Sequence, residues 1–283
     1  MKYHLVFFFF LILLISGCSN NVPDLVNDSQ EYSSSSTPEI NPTLTFIPST
    51  PTLLSTLTPK YINQLCSPLA DVPLTELSQI ISQPFKLPPA GFDYDHQGVD
   101  FSFYRLNGQV GILGTPVNSV LTGTIVAVMQ EKYVYGNALI IETPLEQIPE
   151  SWLEQIQLPA LSPTITPDSR LTCPDVENNP FDLLDVHKRS IYILYAHLNQ
   201  PPSVRIGDKI QCGQLIGEVG NSGKSTNPHL HVETRIGPSG ATFVGMAHYD
   251  NSANSEEMHN YCVWRVSNLF QMFDPMRLLS IAK

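Results

Sequence analysis

Charge is scarce in this chain of 283 residues: Asp, Glu, Lys and Arg make up only 14% of it. The 26 acidic and 15 basic residues leave a formal net charge of −11, and no basic stripe appears. That excludes the electrostatic footprint of a nucleic-acid partner. It also leaves no obvious grip on anionic polymers. Long apolar runs are missing too. Residues 5–15 form an unbroken apolar run of eleven, well short of the roughly 20 that a membrane-spanning helix needs. None of the five cysteines has Cys-x-x-Cys spacing, which argues against a cysteine zinc site. His-Glu-x-x-His is absent, so a helical zinc site with a glutamate base is excluded. The stretch from Gly217 to Lys224 is no phosphate-binding loop. Five residues, not four, separate Gly217 from Gly223-Lys224, and the first of them is Glu218.

The informative stretch runs from Gly220 to Glu233. A Gly/Ser/Asn/Pro loop leads into His229-Leu230-His231-Val232-Glu233-Thr234, which reads as a strand. Residues i and i+2 of a strand share a face. His229 and His231 therefore lie side by side, while Leu230 and Val232 face a core. Two exposed polar residues would be the bland interpretation, but neutral imidazole is the commonest protein metal ligand, and partners exist. His96-Gln97-Gly98-Val99-Asp100 offers a histidine and a carboxylate, with Gly98 as a bend that lets them converge. Tyr195-Ala196-His197-Leu198 ends an apolar run with one more histidine. His4, His187, His248 and His259 read as leader or surface residues. The last two follow the site in a polar loop that could border a groove.

These motifs, His-x-Gly-x-Asp, Tyr-Ala-His-Leu and the nearly gapless run from Gly207 to Glu233, resemble the lysostaphin/LytM-type zinc endopeptidases of bacterial cell walls. The resemblance covers residues 91–235. It implies a mainly β domain, a compact antiparallel sheet of the duplicated hybrid motif type. It also implies one zinc ion held by His96, Asp100 and His231, with His197 and His229 as catalytic non-ligands. Spacing alone does not say which of His229 and His231 binds metal. Asn227 stands where the family usually has glycine; asparagine tolerates the left-handed backbone a glycine there would supply. Val232 replaces a common core phenylalanine.

A basic leader and the apolar run fit a signal peptide over residues 1–17. Ile15-Ser16-Gly17-Cys18 resembles a lipobox, with Cys18 as the lipidation site. From 33 to 59, 18 of 27 residues are Ser, Thr or Pro, too few apolar groups to offset ordering entropy. Residues 18–60 are therefore expected to be a disordered tether, and 61–283 an endopeptidase domain with its core at about 91–236. Strands are expected at 116–117, 120–129 and 137–143, and a short helix at 74–81. The strands 138–143 and 191–197 form a hairpin interrupted by an insertion at about 144–190, which reads as an accessory lobe that donates no ligand. The four cysteines beyond Cys18 suggest two disulfides with three possible connectivities; tying the two ends together would pair Cys66 with Cys262 and Cys173 with Cys212.

The expectation is a monomeric, exported enzyme held to a membrane through lipid at Cys18, facing the cell wall or periplasm, and cutting peptidoglycan stems or cross-bridges. The alternatives are a non-catalytic wall-binding or regulatory protein with the same fold, and a protease of extracellular proteins.

Overall fold

The computed structural model describes residues 64–103 and 111–281. The leader, Cys18 and the tether lie outside the described residues. In chain order the strands and helices are β1 (Ile81–Gln83), β2 (Val99–Phe101), β3 (Pro116–Asn118), β4 (Gly123–Lys132), β5 (Gly136–Pro144), α1 (Glu150–Ile156), β6 (Arg189–Ala196), β7 (Lys209–Ile210), β8 (Leu215–Glu218), β9 (Leu230–Pro238), α2 (Ser255–Arg265), β10 (Gln271–Phe273) and α3 (Pro275–Leu279). One eight-stranded sheet runs β1-β2-β9-β6-β5-β4-β7, with β10 also paired to β9, and β3 pairs with β8 in a second, small sheet. All these strand pairings are antiparallel. This is the expected mainly β, antiparallel architecture. No described helix is long and apolar enough to cross a membrane.

β6 explains why the sheet is covered on both faces. Its sequence Ile191-Tyr192-Ile193-Leu194-Tyr195-Ala196 has no polar alternation, the mark of a strand buried on both sides. Ile191, Ile193 and Tyr195 enter one core with Leu230 and Val232 of β9. Tyr192, Leu194 and Ala196 enter a second core with Tyr261, Trp264 and Phe270. β9 lies at the centre. Its inner edge pairs with β6, and its outer edge is shared by β2 and β10. The register sets Asp100 and Ala196 on either side of His231, so the first two motifs are delivered to the third by hydrogen-bonded pairing.

Four expectations are corrected. Residues 255–265 are not polar loop but α2. Asn254 opens it with a capping box: its side chain accepts from the Glu257 N–H, and the Glu257 carboxylate accepts from the Asn254 N–H. His248, expected at the surface, is buried and donates through Nε2 to the Thr172 carbonyl at 2.7 Å. His259 is half-buried, with Nδ1 on the Pro174 carbonyl; among the described histidines only His187 is exposed. The short helix at 74–81 is a 3-10 turn at Leu77–Gln79, after which β1 begins.

The disulfides are Cys66–Cys212 and Cys173–Cys262. Two bridges form as expected, but the pairing differs. Cys66 and Cys212 both dock beside residues 120–122, through Cys66 N–H to the Val120 carbonyl and Cys212 N–H to Thr122 Oγ1. Cys262 sits on α2 in the second core, while Leu65 beside Cys66 packs on the first, so the sheet separates Cys66 from Cys262.

The expected insertion packs onto both cores. Ile148 and Ile156 belong to the first core, Leu171 and Phe181 to the second. The Ile165 N–H bonds the Ser267 carbonyl, and the Asp168 N–H bonds the Gly91 carbonyl. The segment wraps the sheet edge and is stapled to α2 through Cys173.

Candidate functional site

The hydrogen bonds in β2 and β9 bring the expected residues together. His96 Nε2 lies 3.0 Å from Asp100 Oδ1, His231 Nδ1 lies 2.7 Å from the same oxygen, and the two nitrogens are 3.2 Å apart. His96, Asp100 and His231 are the group of described residues able to hold a metal ion, with ligand atoms all within 4.8 Å of one another. His229 Nε2 is 3.5 Å from the other carboxylate oxygen. The ring of His197 is 4.8 Å from that of His229 and 5.6 Å from that of His231, centre to centre. All five residues line one groove of about 700 Å³.

Each imidazole has its outward nitrogen occupied. His96 Nδ1 meets the Pro84 carbonyl at 3.0 Å and His197 Nδ1 the Ser222 carbonyl at 2.8 Å. His229 Nδ1 meets the Asn227 carbonyl at 2.7 Å. A carbonyl only accepts, so these nitrogens carry the proton. His231 Nε2 meets Glu233 Oε1 at 3.2 Å and is likewise the donor. The remaining nitrogen of every ring, a lone pair when the ring is neutral, turns into the groove. Two such lone pairs and a carboxylate oxygen converging within 3.2 Å fit a cation. Two nitrogens and one oxygen form a donor set of catalytic zinc sites, and an outer hydrogen bond on each ligating histidine is the usual support.

The electrostatics follow from that convergence. Burial alone would raise the Asp100 carboxyl, but hydrogen bonds from His231 and His96 hold it far below the usual carboxylate range. Burial alone would lower His231; bonding to Asp100 and Glu233 outweighs it and lifts the ring to about 9. His197 is pushed down to about 3, first by burial and then by the neighbouring His231 and His229. It therefore stays neutral at physiological pH with Nε2 as an acceptor. Its backbone is left-handed, φ 61°, as is that of Asp95 before His96, φ 68°. Both conformations are uncommon for residues with a Cβ.

The chain bends at Gly98 as expected. The bend is made without a positive φ, and the glycine also provides clearance. A Cβ there would lie 2.5 Å from the Val232 carbonyl and 2.7 Å from His231 Cε1. Asn227 is not left-handed either; its carbonyl fixes the His229 ring.

Sequence reasoning missed what surrounds Glu233. This fully buried carboxylate receives Tyr135 Oη, His231 Nε2 and Arg265 on Oε1, and Arg235 and Trp264 Nε1 on Oε2. Its pKa is lowered well below the usual range, because the Arg235 and Arg265 charges and the His231 bond outweigh burial. The period-two rule that paired His229 with His231 also puts Glu233 on that face, so this signal was present. Arg265 and Trp264 had no such signal.

Two histidines and a carboxylate that converge beside two further histidines in one groove form a candidate metal centre. Comparison with known proteins narrows the class. Residues 184–242 match the model for Peptidase family M23. This segment contains His197, His229 and His231, whereas His96 and Asp100 lie before it. A 50-residue stretch is 42% identical to the DD-carboxypeptidase/endopeptidase Mpg of Neisseria meningitidis serogroup B, covering 18% of this chain and 11% of that protein. Over 141 residues the chain is 28% identical to lysostaphin of Staphylococcus simulans, covering 50% of this chain and 18% of that protein. The chain thus spans less than a fifth of the length of these relatives. The solved catalytic domain of lysostaphin from Staphylococcus simulans aligns with 74% of this chain and 99% of its own, at 22% identity and a TM-score of 0.35. The stretch that carries His197, His229 and His231 is thus similar to Peptidase family M23.

Proposed function

We propose that the protein is a zinc endopeptidase that hydrolyses peptide bonds in peptidoglycan stems or cross-bridges. His96 Nε2, Asp100 Oδ1 and His231 Nδ1 would hold the ion. The single observation that supports this best is their convergence, with the opposite nitrogen of each histidine already bonded to an oxygen. When bound, zinc supplies Lewis acidity: it acidifies water and polarises the scissile carbonyl.

The chain's own residues do the rest. His197 and His229 present Nε2 to the groove while backbone carbonyls fix their rings. In this proposal they orient the attacking water, accept its proton and return one to the leaving nitrogen, which is general acid–base work. The ring that has taken the water's proton would steady the developing oxyanion through its Nε2–H before giving the proton up. Asp100 serves both ligating rings through Oδ1 and leaves Oδ2 toward His229.

Two disulfides suit an extracytoplasmic setting. Lipid at Cys18 would hold the enzyme to a membrane, with residues 18–60 as its tether toward the wall. The test is digestion of purified peptidoglycan with and without chelator. New peptide termini identified by mass spectrometry are expected only with metal, alongside one zinc per chain by atomic spectroscopy. Metal-independent cleavage, or stoichiometric zinc with no new termini, would defeat the proposal.

A further inference from the structure

The two histidine ligands come from segments 135 residues apart, and a metal site needs its donors held to about 0.5 Å. Glu233 orients His231 from behind. The segment 93–97 carries His96. Arg265, at the end of α2, touches the supports of both. One guanidinium nitrogen donates to Glu233 Oε1 at 2.9 Å and to Tyr135 Oη at 3.2 Å. The other donates to the Asp93 carbonyl at 2.8 Å. Asp93 is fixed on its other side by the Tyr249 and Tyr261 hydroxyls, each 2.8 Å from Oδ2. Arg265 is buried and lies after the segment matched to the M23 model.

We propose that Arg265 is a positioning residue, a strap from the end of α2 that holds the His96 and His231 segments in register for the metal. Arg235 forms a second strap, from Glu233 to Gln97 Oε1 at 2.5 Å, so losing Arg265 weakens the site without abolishing it. The planar guanidinium is essential because its two ends serve different segments. A lysine ammonium is a single point of charge and cannot reproduce the fork.

This inference rests on the zinc proposal above, and the test separates the two. Full-length wild type, Arg265→Met and Arg265→Lys would be compared by competitive zinc titration, cobalt(II) absorption, thermal unfolding and steady-state cleavage. Methionine is chosen over alanine because Arg265 also lines a second cavity of about 440 Å³, which truncation would open into the groove. Folded Arg265→Met should bind zinc roughly 10- to 100-fold more weakly, shift the cobalt spectrum and lose kcat more than KM. Arg265→Lys should recover much of the thermal stability but not the spectrum or the affinity. Wild-type affinity, spectrum and kcat in either folded variant would overturn the proposal. So would unfolding of both variants, since the role would then be general stability. Wild type that binds no zinc would instead sink the zinc proposal itself.

Discussion

At the residue scale, ligand and catalyst should separate cleanly. His231→Ala, His96→Ala and Asp100→Ala each remove one of three converging donors, so zinc should be lost. His229→Ala and His197→Ala remove groups that are not among those donors. They should retain zinc and lose cleavage by about 10²- to 10⁴-fold. Metal content measured beside rates decides this; zinc kept by His231→Ala and lost by His229→Ala would reverse the assignment. A proton balance follows from the same geometry. With His231 lifted to about 9, the metal-free ring is protonated at pH 7, and zinc must displace that proton. Uptake should release about one proton, and affinity should rise about tenfold per pH unit up to about 9. Calorimetry in buffers of different ionisation enthalpy reads the proton directly. The sign for stability is opposite. A raised folded value stabilises the metal-free fold fully below about pH 6.5, and this contribution fades as pH climbs through about 9.

At the element scale, what could be read from sequence depended on how local the signal was. The alternation His229-x-His231 predicted one strand face, and β9 provides it, with Leu230 and Val232 in the core as expected. The β5–β6 hairpin was visible through its apolar runs, and its register, Leu139 opposite Tyr195, holds across the insertion. α2 was not visible. Its buried face is assembled from Tyr261, Cys262, Trp264 and Arg265 against a sheet face that is itself charged, so no simple apolar stripe marks it. Disulfide partners were hidden for a similar reason: which sheet face each cysteine reaches is decided by packing far away in sequence. The insertion's seams bear on its removal. Cutting out residues 149–172 removes Ile156 and Leu171 from the two cores, and cavity-forming losses of this kind cost about 2–5 kcal/mol each. Such a deletion should unfold well below the wild type's temperature, as measured by calorimetry, although it takes no metal ligand away. Unchanged thermal stability would show that the wrap is dispensable.

At the scale of the whole molecule, Cys18→Ser should leave the domain folded and release it from the membrane fraction, because stable anchoring needs more than one acyl chain and a lipidated cysteine supplies them. Fractionation with membranes after a salt wash would refute the lipid anchor. Cys173→Ser should also be informative. It opens the link between residues 173 and 262, 89 positions apart, and a loop of that size is worth up to about 4–5 kcal/mol in the chain-entropy account. Non-reducing thermal unfolding should show a lower midpoint.

The path of the chain through the site also sets a schedule. His96 and Asp100 are made early and His231 much later. The helix that straps them ends at Arg265, and one of its residues must find Cys173 in an oxidising place. A growing chain therefore holds scattered candidate ligands until β9 has been made. The proposed Arg265 support comes later still, once synthesis has passed α2. In that sense α2 is a late brace, added only after all three candidate ligands have been made.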